Sequence, residues 1–273
     1  MKCPVCGSPN VYPHIEVEKV QIYQCRKCLV AFVDPKTPRK STKHIYEFAE
    51  YQKREKQFIK RYKKTLGLLK RYSKGKQVLE VGAGFGLLSS MLSKKGYEVD
   101  ALEPEVTPEY VKGIPVHVIK KSFESFAKIA TKKYDTIILY DVLEHVSKPK
   151  ETILLFKKLL NKNGIVVIQT PNYLSLMARM VKNWSWWMVE DHRFYFSKNS
   201  FSHLFLKKTW KECYYGTCED WDDFKKNLDG NFGKNKLAKY YFFSWWIPYY
   251  FFIKRFIWRA GKGGLITTIY QKK

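Results

Sequence analysis

The sequence predicts an α/β fold, a mostly parallel sheet with helices on both faces, fronted by a small cysteine-rich module. Three observations carry this. From residue 77 onward, apolar runs of strand length alternate with helical stretches. The first of those runs opens into a turn with three glycines in five residues, and four of the six cysteines fall within the first 35 residues. With 273 residues and 45% hydrophobic content, the chain can bury one full core and carry one small appendage.

The cysteine module comes first. Cys3-Pro4-Val5-Cys6 and Cys25-Arg26-Lys27-Cys28 are two C-x2-C knuckles separated by 18 residues. Four thiolates close a tetrahedral zinc site, and the tight turn of each knuckle puts both sulfurs on one side of the metal. Residues 1–35 are too few to fold on an apolar core, so a structural Zn2+ on Cys3, Cys6, Cys25 and Cys28 would supply much of their stability. Disulfides and an iron–sulfur cluster are the competing uses of four cysteines. The opening Met1-Lys2-Cys3-Pro4 has no apolar stretch behind a basic start, so the expectation is a cytoplasmic, reducing location and a zinc ribbon.

A basic linker helix is expected across residues 36–75. Residues 36–76 hold 15 Lys and Arg against three glutamates, Glu47, Glu50 and Glu55. Their apolar members (Ile45, Phe48, Ala49, then Phe58, Ile59, Tyr62, then Leu66, Leu69) recur at helical spacing and predict one amphipathic helix from about 43 to 72. Lys74-Gly75-Lys76 ends it. The formal charge of the whole chain is +25, which attracts nucleic acid, anionic lipid or phosphorylated substrates at long range. A general enrichment in lysine produces the same number, so charge alone selects no partner.

Residues 76–273 form the main domain. Gln77–Val81, Glu98–Leu102, Val116–Ile119, Asp135–Tyr140 and Ile165–Thr170 are its strands, with Lys148–Leu160 the clearest helix between them. Leu265–Tyr270 adds a final edge or antiparallel strand. Val78-Leu79-Glu80-Val81-Gly82-Ala83-Gly84-Phe85-Gly86 is a strand running into a glycine turn ahead of the helical Leu87–Lys94. Such a turn lets the backbone approach a ligand at the carboxyl edge of a sheet. Glu103, 17 residues beyond Gly86 and at the end of the next strand, is placed to accept both ribose hydroxyls of an adenosyl cofactor. The loop lacks the G-x-G-x-x-G spacing of a dinucleotide site, and the chain has no G-x4-G-K-[ST] phosphate loop.

This E-x-G-x-G-x-G run resembles the first motif of the class I S-adenosylmethionine-dependent methyltransferases. Further stretches are similar to the branch containing the ubiquinone-biosynthesis O-methyltransferases: Tyr134–Ile138 followed by Asp141-Val142-Leu143-Glu144-His145-Val146, then Leu159–Gly164, Pro171-Asn172 and His192-Arg193-Phe194-Tyr195-Phe196-Ser197. The resemblance covers most of residues 76–205. It implies a Rossmann-like, seven-stranded, mostly parallel sheet. It also implies that Glu80, Gly82, Gly84 and Gly86 hold the methionine part of S-adenosylmethionine, Glu103 its ribose and Phe123 the adenine region. Asp141 would border the sulfonium and the acceptor.

Methyl transfer is an in-line displacement, so the protein must align the nucleophile and accept its proton. His145 is the candidate base, with a purely structural histidine the alternative. Asp141-x-x-Glu144-His145 also resembles the E-x-x-E-H cluster with which some relatives bind a divalent metal, and His192 would add a ligand. This chain has Asp for the first Glu of that pattern.

Between the fifth strand and His192 lies Met177–Met188, with Trp184, Trp186 and Trp187, which suits either an aromatic acceptor wall or ordinary core. Residues 239–259 contain 12 aromatics, and no acidic residue follows Asp229. The uncharged Tyr240–Ile253, interrupted by Pro248 and followed by Lys254-Arg255, is too short to span a bilayer but suits a helix lying on an anionic membrane surface. Core packing and a protein interface compete with that reading. The leading function is an enzyme methylating a small-molecule, glycan or lipid-linked acceptor. An RNA-modifying methyltransferase gripping nucleic acid through the ribbon and basic helix is the second reading, and a non-catalytic cofactor-binding protein the third.

Overall fold

The computed structural model describes residues 1–37, 47–105, 107–219, 221–232 and 235–273. The N-terminal module folds as β1 (Val11–Val17), β2 (Val20–Cys25) and β3 (Ala31–Val33), paired antiparallel in that order. Its four cysteines meet: Cys3 and Cys28 Sγ are 3.6 Å apart, Cys6 and Cys25 Sγ 3.5 Å, and all four sulfurs lie within 4.8 Å of one another. The hydrogen bond from Cys28 lowers the Cys3 thiol to about 5 against its burial. That donor set fits a structural zinc ion, and there is no cystine among the described residues.

The helical linker departs from expectation. The sequence predicts one helix, whereas the structure breaks it at Arg54 into α1 (Phe48–Lys53) and α2 (Glu55–Tyr72). The predicted start at 43 lies outside the described residues. Nor does α2 stand apart as a spacer. Tyr62, Thr65 and Leu69 are buried, and its apolar stripe shares one core with Val78, Leu88, Ile138 and Val167 of the main sheet and α3 (Leu87–Ser93).

The main sheet is built from β4 (Gln77–Val81), β5 (Glu98–Leu102), β6 (Val116–Ile119), β7 (Tyr134–Tyr140), β8 (Leu160–Pro171), β10 (Trp210–Cys218) and β11 (Leu265–Lys272). Its order is β10-β11-β8-β7-β4-β5-β6, with β6 to β8 parallel and β10 and β11 antiparallel. The central strands are covered on both faces, which is why they read as unbroken apolar runs. Helices α4 (Phe123–Ile129) and α5 (Pro149–Leu159) complete the crossovers. A two-residue strand, β9 (Phe194–Tyr195), leaves the main domain to pair antiparallel with β3, so ribbon and main domain share a sheet.

After β8, α6 (Leu176–Met180) leads to the tryptophan segment, and α7 (Lys198–Leu204) follows β9. Then α8 (Trp221–Phe232) and α9 (Lys236–Arg259) precede the final strand. The C-terminal end of α9 is tied to the body, since the Trp258 carbonyl accepts from Thr217 Oγ1 at 2.8 Å. Farther along it, Leu237, Tyr240, Tyr241, Phe252 and Phe256 are exposed. The side chains of Trp245 and Trp246, part of the predicted interfacial segment, lie outside the described residues. Among the described residues, no helix is long and apolar enough to cross a membrane.

Candidate active site

The loop after β4 and the end of β5 form one unit at the carboxyl edge of the sheet. The Leu102 carbonyl accepts from Gly82 and Ala83 N–H at 2.9 and 3.1 Å. The Glu103 carboxylate accepts from Gly84 N–H at 2.8 Å and from Glu105 N–H at 2.9 Å. Each carboxylate oxygen has two lone pairs, so Glu103 keeps acceptor capacity for a vicinal diol. Two glycines differ in what they require. At Gly82 (φ +71°) a Cβ would sit 2.4 Å from Val142 Cγ2, so this loop abuts the loop after β7. At Gly84 (φ +53°) a Cβ would meet nothing within 4 Å, leaving a cradle of exposed backbone.

Glu80 lies beneath the loop, 4% exposed, and accepts a hydrogen bond from Ser89 Oγ. Burial pushes its carboxyl up to about 8, the Ser89 hydrogen bonds oppose the shift, and the charge of Glu103 adds to it. A buried acid poised there can pair with an ammonium group brought by a ligand.

Sequence reasoning missed the lid. Phe48 of α1 packs on Phe85 of the glycine loop at 5.1 Å, and Tyr51 packs on the same ring at 5.1 Å. Tyr51 stacks in turn on Phe58 of α2 at 4.4 Å, and the Tyr110 hydroxyl donates to Glu55 at 2.9 Å. Thus the apolar face of the basic segment roofs the glycine loop. From α2 also comes Arg61, which reaches Asp141 at 2.8 Å. The signal was present: Arg61 interrupts the buried stripe Phe58, Tyr62, Thr65, Leu69, where a charged residue requires a partner.

Asp141, just past β7, adopts a left-handed conformation (φ +54°), with its N–H donating to the Gln169 carbonyl at 3.0 Å. Burial opposes the Arg61 charge, but Asp141, Tyr62 and Asp223 outweigh it and raise the guanidinium. Asp141 is therefore committed to Arg61, while Glu144, His145 and His192 converge. Their ligand atoms lie within 4.8 Å of one another, and the two imidazole centroids are 4.9 Å apart. His145 Nδ1 faces the Asp191 carbonyl at 3.2 Å and His192 Nδ1 faces the Trp186 carbonyl at 2.9 Å. A carbonyl only accepts, so Nδ1 is the protonated nitrogen in both contacts. Glu144 is 1% exposed, and among the described residues its carboxylate oxygens make no hydrogen bond of full geometry, although the Thr170 hydroxyl and its own backbone N–H lie near enough to work against the rise in its pKa. Burial and then the charge of Asp141 raise its pKa well above the ordinary carboxylate range.

Phe123, expected near an adenine, is buried in the core with its ring 5.0 Å from that of Phe156. Of the three tryptophans, Trp184 and Trp187 are buried in a core shared with the ribbon, and only the half-buried Trp186 lies against the histidines, parallel to His192 with centroids 6.3 Å apart.

Residues 48–209 match the family described as a methyltransferase domain. Curated relatives include the ubiquinone biosynthesis O-methyltransferases of Photorhabdus laumondii subsp. laumondii, 32% identical over 105 residues, and Proteus mirabilis, 34% identical over 105 residues. Each alignment covers 36% of this chain and 44% or 43% of the relative, so the chain spans less than half the length of these relatives. A solved S-adenosylmethionine-dependent methyltransferase from Thermotoga maritima, described as a possible histamine N-methyltransferase, superposes with a TM-score of 0.52 at 17% identity. That alignment covers 82% of this chain and 95% of the other, and it shows a common fold. The family match takes in more than half of the chain, from the α1–α2 roof to the His192 loop, and the chain belongs to the S-adenosylmethionine-dependent methyltransferase family.

Proposed function

We propose that this chain moves the methyl group of S-adenosylmethionine to a hydroxyl of a small-molecule or lipid-linked acceptor, with Glu144, His145 and His192 handling the acceptor proton. The supporting observation is the abutment of Gly82 on Val142, which sets the cofactor loop directly against the turn that carries Glu144 and His145. Glu80 and the backbone of Gly82, Gly84 and Gly86 would hold the methionine end, and Glu103 the ribose diol. S-adenosylmethionine supplies an already activated methyl, so the residues need only align an oxygen and take its proton, with an imidazole as the base. An oxygen acceptor is favoured by the names of the curated relatives, which are O-methyltransferases.

The test is titration with S-adenosylhomocysteine, followed by product release across phenolic, sugar and lipid-linked acceptors. Saturable binding, with release only when an acceptor is present, is expected. His145→Ala should lower turnover by about 100-fold or more. Failure of the wild-type chain to bind S-adenosylhomocysteine would end this reading.

A divalent metal on Glu144, His145 and His192 is a second reading, favoured by a buried carboxylate that converges with two imidazoles. The three side chains fit such an ion, with the Asp191 and Trp186 carbonyls orienting the imidazoles as outer partners. A metal there would lower the pKa of the acceptor hydroxyl. Adding Mg2+, Mn2+ or Zn2+ to protein with its ribbon zinc intact should then raise turnover, and Glu144→Gln should remove the dependence. Turnover indifferent to all three ions would leave the proton-transfer reading alone.

The exposed Tyr240, Tyr241, Phe252 and Phe256 of α9, with Arg255 and Arg259 beside the last of them, support peripheral contact with an anionic membrane. Flotation with anionic but not neutral liposomes, lost on Phe252→Ser/Phe256→Ser, is the expected result. Tight RNA binding with a steep salt slope and no flotation would favour the nucleic-acid reading instead.

A further inference from the structure

We propose that the zinc ribbon is the positioning element of the acceptor half of the site, holding the His192 loop and the Glu144 turn by strand pairing. This rests on the acceptor reading above.

A continuous chain of hydrogen bonds runs between the two. Leu29, immediately after Cys28, adopts a left-handed conformation (φ +51°) and donates its N–H to the Cys25 carbonyl at 3.0 Å. That knuckle turn aims the Leu29 carbonyl at the main domain, where it accepts from Tyr173 OH, Ser197 Oγ and Ser200 Oγ at 2.8, 2.8 and 2.9 Å. Three donors on one carbonyl anchor the turn to both ends of the segment that carries the tryptophans and His192. From there β3 pairs with β9, setting Ala31 opposite Tyr195 and Phe32 opposite Phe194, and Val33 N–H donates to the Arg193 carbonyl at 3.1 Å. On the other side, Arg193 and Phe194 N–H both donate to the Glu144 carbonyl, at 2.8 and 3.1 Å. The backbone that holds Glu144 is therefore the backbone paired with the ribbon, and His192 is the next residue along it.

Side chains reinforce the link. Ile22 and Val33 of the ribbon share a buried cluster with Trp184, Trp187, Val189 and Tyr195, and the His14 ring lies edge-on to Tyr173 at 5.8 Å. The ribbon's Val30 and Phe32 also share the larger buried cluster with Val81 and Leu102, but the cofactor loop has backbone bonds of its own, from Gly82, Ala83 and Gly84 to Leu102 and Glu103. Because a ribbon of this size depends on its metal to fold, zinc occupancy should set order in the acceptor half and leave the cofactor half intact.

The test compares the zinc-loaded full chain, the Cys25→Ser/Cys28→Ser variant and Val33→Pro, which keeps all four cysteines but removes the Val33 N–H. Zinc content, amide hydrogen exchange and S-adenosylhomocysteine affinity are measured on each. Both variants should speed exchange at the Arg193 and Phe194 amides by at least about tenfold. Val33→Pro should keep its zinc, and both variants should bind S-adenosylhomocysteine within about threefold of wild type. Unchanged protection of Arg193 and Phe194 would make the ribbon a passive appendage and overturn the proposal. Loss of cofactor affinity in step with that protection would overturn it too, since the ribbon would then hold the whole fold. If the wild-type chain does not bind S-adenosylhomocysteine, the methyltransferase reading has failed, and the exchange data still decide the coupling.

Discussion

The Glu103 carboxylate accepts a hydrogen bond from Gly84 N–H at 2.8 Å, tying the end of β5 to the middle of the glycine loop before any ligand arrives. With Glu105 N–H on its other oxygen, Glu103 organises the loop and still presents lone pairs to a ribose. Replacing it by alanine strips two charge-assisted bonds from the protein and removes the acceptors for the diol. Glu103→Ala should therefore weaken S-adenosylhomocysteine by about 30-fold or more, at about 1.5–3 kcal/mol per charged hydrogen bond. Calorimetry reads this directly, and an unchanged affinity would remove Glu103 from the cofactor site.

The two glycines flanking Ala83 should fail in different ways. Gly82→Ala forces a Cβ to 2.4 Å from Val142 at φ +71°, so it disturbs packing between two loops as well as backbone. Overpacking of this kind typically costs about 1–3 kcal/mol, with about 1 kcal/mol more for the left-handed backbone. Gly84→Ala meets no neighbour, so its stability cost is the backbone term alone, about 1 kcal/mol. Its methyl group would nevertheless occupy the cradle. Denaturant curves should rank Gly82→Ala as the less stable, whereas Gly84→Ala should lose cofactor affinity out of proportion to its stability.

Glu80 makes the unliganded protein sensitive to alkali. Its folded pKa, raised by burial to about 8, exceeds the unfolded value near 4.5, so the folded state holds the proton more tightly. Stability from this group is complete below about pH 4.5 and declines as pH rises through the folded value near 8. At about 1.4 kcal/mol per unit the loss amounts to several kcal/mol. Glu144 and Glu219 are raised by burial as well and add the same sign, so the comparison must be with Glu80→Gln rather than with theory. Thermal melts should show Glu80→Gln gaining on wild type between pH 5 and 9, with S-adenosylhomocysteine bound more weakly. Parallel melting curves across that range would show that Glu80 titrates normally.

The parts of this fold that were legible in the sequence are those where burial writes an unbroken pattern. Gln77–Val81 and Glu98–Leu102 were read to the residue because central parallel strands are apolar runs ended by turn residues, and the edge strand Val116–Ile119 because its β-branched residues alternate about a single polar His117. β10 was not read: Trp210–Cys218 is an edge strand, half-buried and interrupted by Lys211 and Glu212. β9 is two residues long and has no pattern to find. The glycine loop, Glu103 and the zinc knuckles were legible because their chemistry demands particular residues at particular spacings. Convergence of His145 and His192, 47 positions apart in the chain, was suggested only by resemblance. Arg61 was hidden among 15 basic residues, and finding it required noticing which one interrupts the apolar stripe.

That arginine yields the last prediction. Arg61 is 9% exposed at its side chain and holds Asp141, itself 30% exposed, at 2.8 Å. Breaking a fully buried pair costs about 3–5 kcal/mol, mostly from the stranded charge. The partial exposure of Asp141 allows water to screen what remains, so Arg61→Met should cost about 2 kcal/mol. Asp141→Asn tolerates the left-handed backbone (φ +54°) and isolates the loss of charge, but it leaves the more deeply buried guanidinium only the charge of Asp223, so it should cost at least as much. The double variant Arg61→Met/Asp141→Asn strands neither charge and should recover about 1 kcal/mol or more relative to the sum of the single changes. Urea unfolding of the four proteins closes the cycle. Additive losses would mean that the two side chains are solvated separately, and that α2 rests on the site through its aromatic stripe alone.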